Sequence, residues 1–354
     1  MSNLEKAVKF IPMKILGIET SCDETAVAVI EVKNDKPEVL SSIVSSQIEL
    51  HAQYGGVVPN LAAREHVKNI NVVFDTALKE ANLQIEDIDL IAVTQGPGLI
   101  PALMVGTAFS KTLAFLTDKP IVGVNHMAGH IYANWFGEKE IEFPVLNLVV
   151  SGGHTMLVLM KDHGKFELLG ETVDDAVGEA FDKVARILEL GYPGGPIIST
   201  EAAKDSKIEI DLPRPMLNSG DYNFSFSGLK TAVLYKVKDL KEKYSLDEIR
   251  PAVAKEFQQA AVDVLVKKTI KATEEYNIKI ILLSGGVAAN KLLRKTLEEE
   301  CKKNGFECRL PELKYTTDNA AMIALAGYFK SKEIKKPDWK SVQADANLKL
   351  ASPQ

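Results

Sequence analysis

Twice along this chain, two apolar runs enclose a short polar turn, and the repetition limits what the chain can fold into. KILGI and TAVAVIEV flank ETSCDE, and within residues 145–160 VLNLVV and MLVLM flank SGGHT. Runs of this length, bounded by a turn, read as β-hairpins whose tips carry hydroxyls, carboxylates or glycines. The sequel to each hairpin is also similar. After the first comes a helical pattern over about residues 60–81, with Leu61, Val67, Ile70, Val73, Phe74, Ala77 and Leu78 near the 3.6 period. A strand LIAVT, a loop QGPGLI, an apolar helix over about 101–116 and a strand IVGV complete that half. After the second come a helix over about 174–190, the break GYPGGP, a loop LPRPMLNSGDYNFSFSGLK and a helical pattern over about 246–276. A strand IKIILL, a tight turn SGG and a helix VAANKLLRKTLEEE follow. Strands alternating with helices define an α/β sheet, and the repetition predicts two similar lobes with a cleft between them. The period is far too long for a solenoid. A last helical stretch, about 318–329, is expected to return to the first lobe.

Length and composition agree with two lobes. At roughly 100–200 residues per domain, 354 residues suggest two. A chain that is 46% hydrophobic and 25% charged can bury sizeable cores, and no membrane span is expected. The start MSNLEKAVKFIPMK lacks the apolar region of a secretory signal and the Arg-rich character of a transit peptide, so it reads as an extension before a start near Met13. Cys22, Cys301 and Cys308 are too few and too scattered for a disulfide framework, which fits a reducing cytoplasm. A formal charge of -6 gives no support to a dedicated nucleic-acid module. Local basic clusters at Arg64, His66 and Lys68, and at Lys230, Lys236 and Lys238, read first as solvated helix faces.

The chemistry-bearing residues lie at the turns and helix starts. In NHMAGH, His126 and His130 are one helical turn apart if residues 125–135 are helical, which is metal-ligand spacing and also the spacing of an ordinary polar pair. Met127 stands where a zinc peptidase of the HExxH type keeps its glutamate base, which weakens a peptidase reading. SGGHT and SGGVAAN both offer glycine turns whose N–H groups suit a phosphate, and the second is a strand, glycine pair and helix in sequence. His154 can donate to a phosphate, and Asn290, on the first turn of its helix, can serve a ribose or a base edge. At the first tip, Glu19, Thr20, Ser21, Asp23 and Glu24 can hold Mg2+ near a phosphate, or can be plain turn chemistry. Gly194 and Gly195 offer another close-approach loop. Asp182 and Lys183 lie mid-helix, where charges usually face solvent. Asp318 is an N-cap or first-turn residue in the bland reading and a third metal ligand in the sharper one.

Taken in order, ETSCDETAVAV, HAQYGGVVPNLAAREH, TQGPGLIPALMVG, NHMAGH, LVVSGGHT, GEAFDKVARIL, GYPGGP, FSFSGLKTAV, LLSGGVAANKLLR and TDNAAMIA resemble the universal tRNA N6-adenosine threonylcarbamoyltransferase family in its bacterial form, from about residue 13 to residue 330. The resemblance implies a duplicated actin-like (ribonuclease H-like) two-lobe fold of the ATPase superfamily that includes sugar kinases and heat-shock chaperones. Its divisions here are a flexible extension over 1–12, lobes over 13–144 and 145–310, and a returning helix with tail over 311–354. It implies transfer of threonylcarbamoyl from L-threonylcarbamoyl-AMP to N6 of the adenosine immediately 3′ of the anticodon, in tRNAs reading codons that begin with A, with release of AMP. Carried over, the metal ligands are His126, His130 and Asp318, holding one Fe2+ or Zn2+ per subunit. The adenylate site takes Val150, Ser151, Gly152, Gly153, His154, Asp182, Gly195 and Asn290, and Mg2+ accompanies the nucleotide. Ser199 departs from an acidic residue that some members use toward the ribose, so a weaker or rearranged contact is expected there. Asp23 is the candidate for proton handling or substrate positioning. The implied partners are tRNA, a paralogous degenerate subunit, a small P-loop ATPase and an upstream threonylcarbamoyl-AMP synthase. A superfamily phosphotransferase or ATPase, a metallopeptidase and a non-catalytic scaffold are the competing readings. Ser227 and Lys230 receive no role.

Overall fold

The computed structural model describes residues 12–137, 139–334 and 338–350, so the expected extension lies, up to residue 11, outside the described residues. β1 (Met13–Glu19) and β2 (Glu24–Lys33) form the first hairpin, in antiparallel register from Met13 opposite Val32 to Glu19 opposite Ala26. β3 (Lys36–Ser46) adds an antiparallel edge strand absent from the sequence analysis, because Lys36, Glu38, Ser42 and Ser46 occupy its exposed positions apart from Val44. A short helix α1 (Ile48–Ala52) leads into α2 (Pro59–Glu80), where Ile70, Val73, Ala77 and Leu78 form the buried stripe. Pro59 opens α2 without loss, since the first turn has no use for its missing N–H. β4 (Leu90–Gly96), α3 (Ile100–Thr117) and β5 (Ile121–Asn125) complete a sheet of order β3-β2-β1-β4-β5, with β1, β4 and β5 parallel. α3 is the one described helix long and apolar enough to cross a membrane by length and composition. It packs on α2 and β4, and Ala102, Leu103, Gly106, Ser110 and Ala114 are buried there.

After the helix α4 (His126–Tyr132), the second half repeats the construction. β6 (Val145–Val150), β7 (Thr155–Asp162) and β8 (Lys165–Glu171) form an antiparallel meander. Four helices then run in series: α5 (Val177–Ile187), α6 (Gly194–Ala202), α7 (Ser227–Leu240) and α8 (Leu246–Glu275). α8 starts at a capping box between Ser245 and Glu248 and is buried on many sides, as expected of a helix enclosed by others. β9 (Ile280–Ser284), α9 (Lys291–Asn304) and β10 (Glu307–Arg309) close a sheet of order β10-β9-β6-β7-β8, with β9 parallel to β6 and to β10. Read from its other edge, this is the first sheet's connectivity again, and the chain has the duplicated actin-like fold. Two local expectations are corrected. α7 emerges from the stretch read as a loop, and Gly194 and Gly195 are the first turn of α6 instead of an open loop.

Strand periodicity sorts the side chains into three apolar layers. Leu16, Ile18, Val27, Val29, Ile91 and Val93 face α2 and α3 on the outside of the first sheet. Leu146, Leu148, Leu157, Ile281 and Leu283 face α5, α7, α8 and α9 on the outside of the second. Between the sheets, Ile15, Ala28, Ala92 and Val124 of one and Val145, Val149, Val158 and Leu282 of the other bury α4 and α10 (Ala320–Ser331). α10 is thus apolar all round because it has a sheet on either side. Its approach to β1 is so close that a Cβ on Gly17 would lie 2.0 Å from the Ala320 carbonyl oxygen. The chain from 338 to 350 returns over the first sheet, Asp345 N donating to Gln95 O at 2.8 Å and Asn125 Nδ2 to Leu348 O at 3.1 Å.

Candidate active site between the lobes

Asn125 decides where α4 begins. Its side-chain oxygen accepts from Met127 N at 2.9 Å and Ala128 N at 3.4 Å, an N-cap that makes His126 the first helical residue. His126 and His130 then share one face, with ring centroids 4.7 Å apart. The helix is shorter than expected: regular α geometry stops at Tyr132 and tightens into a 3-10 turn over Ala133–Phe136. Asp318 reaches the same place from the segment before α10, its Oδ1 lying 3.4 Å from His126 Nε2 and 3.1 Å from His130 Nε2. It is not the helix cap. Asn319 holds that position, accepting from Met322 N at 3.0 Å, which leaves the Asp318 carboxylate free to turn inward.

These three are the one group among the described residues that gathers three metal-type donors, with ligand atoms within 4.8 Å of one another. The donor set, two imidazole nitrogens and a carboxylate oxygen, suits zinc or iron. His130 is fully buried, yet neither ring nitrogen makes an aligned hydrogen bond, although Nε2 stands close to Asp318. Two unpaired lone-pair donors facing one another at this distance fit a shared cation better than a hydrogen bond. Burial opposes a charge on His126, but the Glu19 and Asp318 carboxylates outweigh it and raise its pKa well above the usual value. Burial likewise opposes ionisation of Asp318, and His126 and His130 override it and hold the carboxyl far below its ordinary range. The pocket is built around positive charge.

The acidic first tip serves this cluster. Glu19 is fully buried and its Oε2 lies 2.8 Å from His126 Nδ1; it also accepts from the Thr94 hydroxyl at 2.6 Å and from Ser21 N. Thr20 donates to Ala102 O at 3.0 Å, Ser46 to Glu24 at 3.2 Å, and Asp23 is 8% exposed. Burial, with Asp318 and Asp23 nearby, pushes the Glu24 carboxyl well up. The reading of Arg64, His66 and Lys68 as one solvated face is corrected at its centre. His66 is buried, its Nδ1 2.7 Å from Thr25 Oγ1 and its Nε2 3.0 Å from Cys22 O, where it braces the tip.

The second tip is built differently. Ser151 N donates to His154 O at 2.8 Å and His154 N to Ser151 Oγ at 3.1 Å, closing a turn that presents Gly152 and Gly153 to solvent. A Cβ on Gly152, Gly153, Gly195 or Gly286 would meet nothing within 4 Å. Beneath the tip space vanishes. Gly285, at φ +91, would place a Cβ 2.3 Å from Val150 O, and Gly178 one 2.5 Å from Ser151 O. His154 is the last residue of this tip: burial, then the charges of His126 and His130, lower its pKa to about 4, so it is neutral at pH 7.

Asp182 is half-buried and does not simply face solvent. Its Oδ1 accepts from Gly194 N at 2.7 Å and so fixes the start of α6 against α5. Asn290 is the N-cap of α9 and not a first-turn residue, accepting from Leu293 N at 3.0 Å. Its Nδ2 reaches Gln258 Oε1 at 2.9 Å and Ser199 Oγ at 3.2 Å, while Ser199 Oγ lies 2.8 Å from Gln258 Oε1 and 3.0 Å from Gly195 O. Two candidates distant in sequence, Ser199 and Asn290, thus meet at one side chain, Gln258, which has no place in the sequence analysis. Its signal was an uncharged polar residue on the buried face of α8. Lys230 and Lys183 both hold Asp175, at 2.9 and 2.7 Å, and Asp174 caps α7 by accepting from Phe226 N and Ser227 N. The lobes also touch through Arg186, which donates to Gly55 O at 2.5 Å. A cavity of about 670 Å³ on the outer face of α3, against Trp339 and Val342, shares no residue with these groups.

Two actin-like lobes, with a His-His-Asp group of metal-type donors on one side and a bare glycine tip on the other, are compatible with a transferase or a phosphotransferase class. The comparisons separate these. A family model described as "TsaD: tRNA N6-adenosine threonylcarbamoyltransferase" matches residues 38–325. Relatives named tRNA N6-adenosine threonylcarbamoyltransferase include one from Bacillus cereus, 57% identical over 88% of this chain and 90% of that protein. Another, from Thermosipho africanus, is 49% identical over 96% of this chain and 100% of that protein. The chain belongs to the tRNA N6-adenosine threonylcarbamoyltransferase family. Among solved structures, HypF from T. kodakarensis superposes with a TM-score of 0.60 at 14% identity, over 92% of this chain and 48% of that one. That likeness concerns the fold alone.

Proposed function

We propose that the chain transfers the threonylcarbamoyl group from L-threonylcarbamoyl-AMP to N6 of the adenosine immediately 3′ of the anticodon, in tRNAs reading codons that begin with A, and releases AMP. The observation that carries this reading is the His126–His130–Asp318 donor group, whose charges act on His154 of the open Gly152–Gly153 tip, so that a cation held by the first would face an anion held by the second. An acyl-adenylate has a phosphate for the cradle and an electrophilic carbonyl beside it.

In the transfer, the exocyclic amine bonds to the carbamoyl carbon, the bond from that carbon to the phosphate oxygen breaks, and AMP leaves with the electron pair. The leaving group is good and the nucleophile weakly basic, so orientation and removal of one amine proton dominate over any protein nucleophile. Backbone N–H groups of Gly152 and Gly153, and of Gly195 in the first turn of α6, hold the phosphate where negative charge grows. Val150 ends the strand that carries this tip, and Asp182 keeps the start of α6 in place through Gly194. Asn290, Ser199 and Gln258 present amide and hydroxyl groups to the nucleoside. Ser199 already shares its hydroxyl with Gly195 O and Gln258, so its ribose contact is a rearranged one. Asp23, at the first tip, receives the amine proton or positions the amine. His126, His130 and Asp318 would hold one Fe2+ or Zn2+, which when bound supplies Lewis-acid orientation of a phosphate or carbonyl oxygen. Mg2+, where bound, would accompany the nucleotide phosphate and offset its charge.

The net charge of -6 supplies no overall attraction to a polyanion, which favours tRNA contact shared with a paralogous degenerate subunit and a small P-loop ATPase. A threonylcarbamoyl-AMP synthase acts upstream. Free cysteines at 22, 301 and 308 favour a cytoplasmic setting. The test is reconstitution with these partners, labelled threonine, bicarbonate, ATP and tRNA. Label in tRNA is expected. No label in the full mixture, with phosphate transfer or ATP hydrolysis by this chain on its own, would favour the phosphotransferase reading, which leaves the triad idle.

A further inference from the structure

We infer that Glu19 is a positioning residue that fixes His126 in the Nδ1-protonated tautomer and so aims the Nε2 lone pair at Asp318 and the metal centre. The inference rests on the metal-centre reading above. Glu19 closes β1, Thr94 lies in β4 and His126 opens α4, so three adjacent elements converge on one carboxylate. That carboxylate is fully buried, which excludes it from contact with substrate and makes its charge costly unless it is matched. Its hydrogen bonds all come from within: Thr94 Oγ1 at 2.6 Å, Ser21 N, and His126 Nδ1 at 2.8 Å, with Ser21 Oγ a further 3.3 Å from the same nitrogen. An ionised carboxylate can only accept, so the Nδ1 proton stays on the Glu19 side, and the nitrogen left to give its lone pair to a metal, in exchange for a proton, is Nε2. Nε2 is the atom that faces Asp318, at 3.4 Å.

A purely structural ion pair would not need this direction. The contrast with His130 makes the point: its Nδ1 is equally buried and has no hydrogen-bond partner among the described residues, so tautomer control is built for one ligand of the two. Carboxylates behind ligating imidazoles typically change metal affinity by roughly 10–100-fold.

The test uses full-length Glu19→Gln and Glu19→Ala, with His126→Ala as reference. Zn2+ affinity is measured by competition with a chromophoric chelator. Long-range ¹H–¹⁵N spectra of the Zn2+-loaded, ¹⁵N-histidine-labelled protein report the imidazole tautomers, and melting of the metal-free proteins reports folding. The expected result is Zn2+ binding weaker by about 10-fold in the isosteric Gln variant and by up to about 100-fold in the Ala variant, with loss of a single Nδ1–H form for His126. Zn2+ binding within about twofold of the parent in either folded variant, with the His126 tautomer unchanged, overturns the assignment. If the parent protein itself takes up no Zn2+, Fe2+ or Co2+, the metal-centre reading falls, and that outcome is distinct from a parent that binds and variants that bind equally well.

Discussion

The two hairpin tips occupy equivalent places in two copies of one topology, yet they are opposite surfaces. The first, Thr20 to Asp23, is packed: Thr20 is fully buried under Gly106, Ser21 is 2% exposed, and backbone bonds from Leu99 N and Gln47 N add to the side-chain contacts. The second, Ser151 to His154, is open, and its glycines offer backbone. One topology thus carries, at equivalent turns, packed side chains beside the His126–His130–Asp318 donors in one lobe and exposed glycines in the other, the contrast on which the proposed cation and anion sites rest. The division of labour is open to direct attack. His126→Ala, His130→Ala and Asp318→Ala should each strip bound metal and reduce tRNA labelling by on the order of 10³-fold or more, because several kcal/mol of charge stabilisation go with it. Metal content and label incorporation check it. Full activity in a metal-free double His variant would break the comparison at its first half.

The lobes are joined by an aromatic seam. His163, in the turn after β7, stacks on Phe329 of α10 at 3.6 Å and near Tyr132 of α4 at 5.7 Å, and Gly164 N donates to Tyr132 Oη at 3.1 Å. Burial in this seam lowers the His163 pKa to about 4, with Lys332 acting in the same direction and Asp162 and Asp35 opposing. A histidine whose folded pKa lies below its unfolded value of about 6.5 contributes stability that is present above that value and is lost as pH falls toward 4. Between pH 7 and pH 4 the parent should lose at most about 3 kcal/mol at this site, less where solvent screens it, and His163→Phe should remove that part of the slope. Denaturant melts of both proteins across this range measure it. Equal slopes would mean that the seam does not sense pH through His163.

Glycine-to-alanine pairs sharpen the contrast further. At Gly106 a Cβ would lie 2.3 Å from Thr20 Oγ1, so Gly106→Ala should cost roughly 1–3 kcal/mol by overpacking the first tip. At Gly153 the same methyl meets nothing, so Gly153→Ala should leave the melting temperature unchanged and raise the KM for the adenylate. Thermal melts and steady-state kinetics decide it. A Gly153→Ala variant that is destabilised but kinetically normal would make the second tip structural.

What was legible in the sequence follows from the range over which each cause acts. Hairpins, the amphipathic α2 and the apolar α3 are local periodicities, and they appear where the pattern puts them. β3 and α7 escape because the surroundings stabilise them: β3 is an edge strand with polar exposed positions, and α7 needs Asp174, more than fifty residues earlier in the chain, to cap it. The His126–His130 spacing is local as well, but that Asp318 joins it depends on α10 returning between the sheets. The cap at Asn319 is what frees Asp318, and nothing in TDNAAMIA distinguishes which of the neighbouring polar residues caps. Gln258 and Glu19 lie furthest from sequence reasoning. One is an amide on a long helix and the other a carboxylate in a tip with several, and only tertiary contact selects them.

The smallest effect separates two duties of one residue. Asn290 caps α9 through its carbonyl oxygen and reaches Gln258 and Ser199 through its amide nitrogen. Asn290→Ala removes both and should cost about 1 kcal/mol of stability along with adenylate affinity. Asn290→Asp keeps a capping acceptor of nearly equal worth but has no donor for Gln258 Oε1, so stability should stay within a few tenths of a kcal/mol while adenylate binding weakens several-fold. The pair of variants, compared by melting and by titration with a non-reactive adenylate analogue, isolates the ligand-facing duty from the helix-starting one. If both weaken binding only in proportion to lost stability, Asn290 belongs to the scaffold, and the second lobe's contribution narrows to its glycine tip and the start of α6.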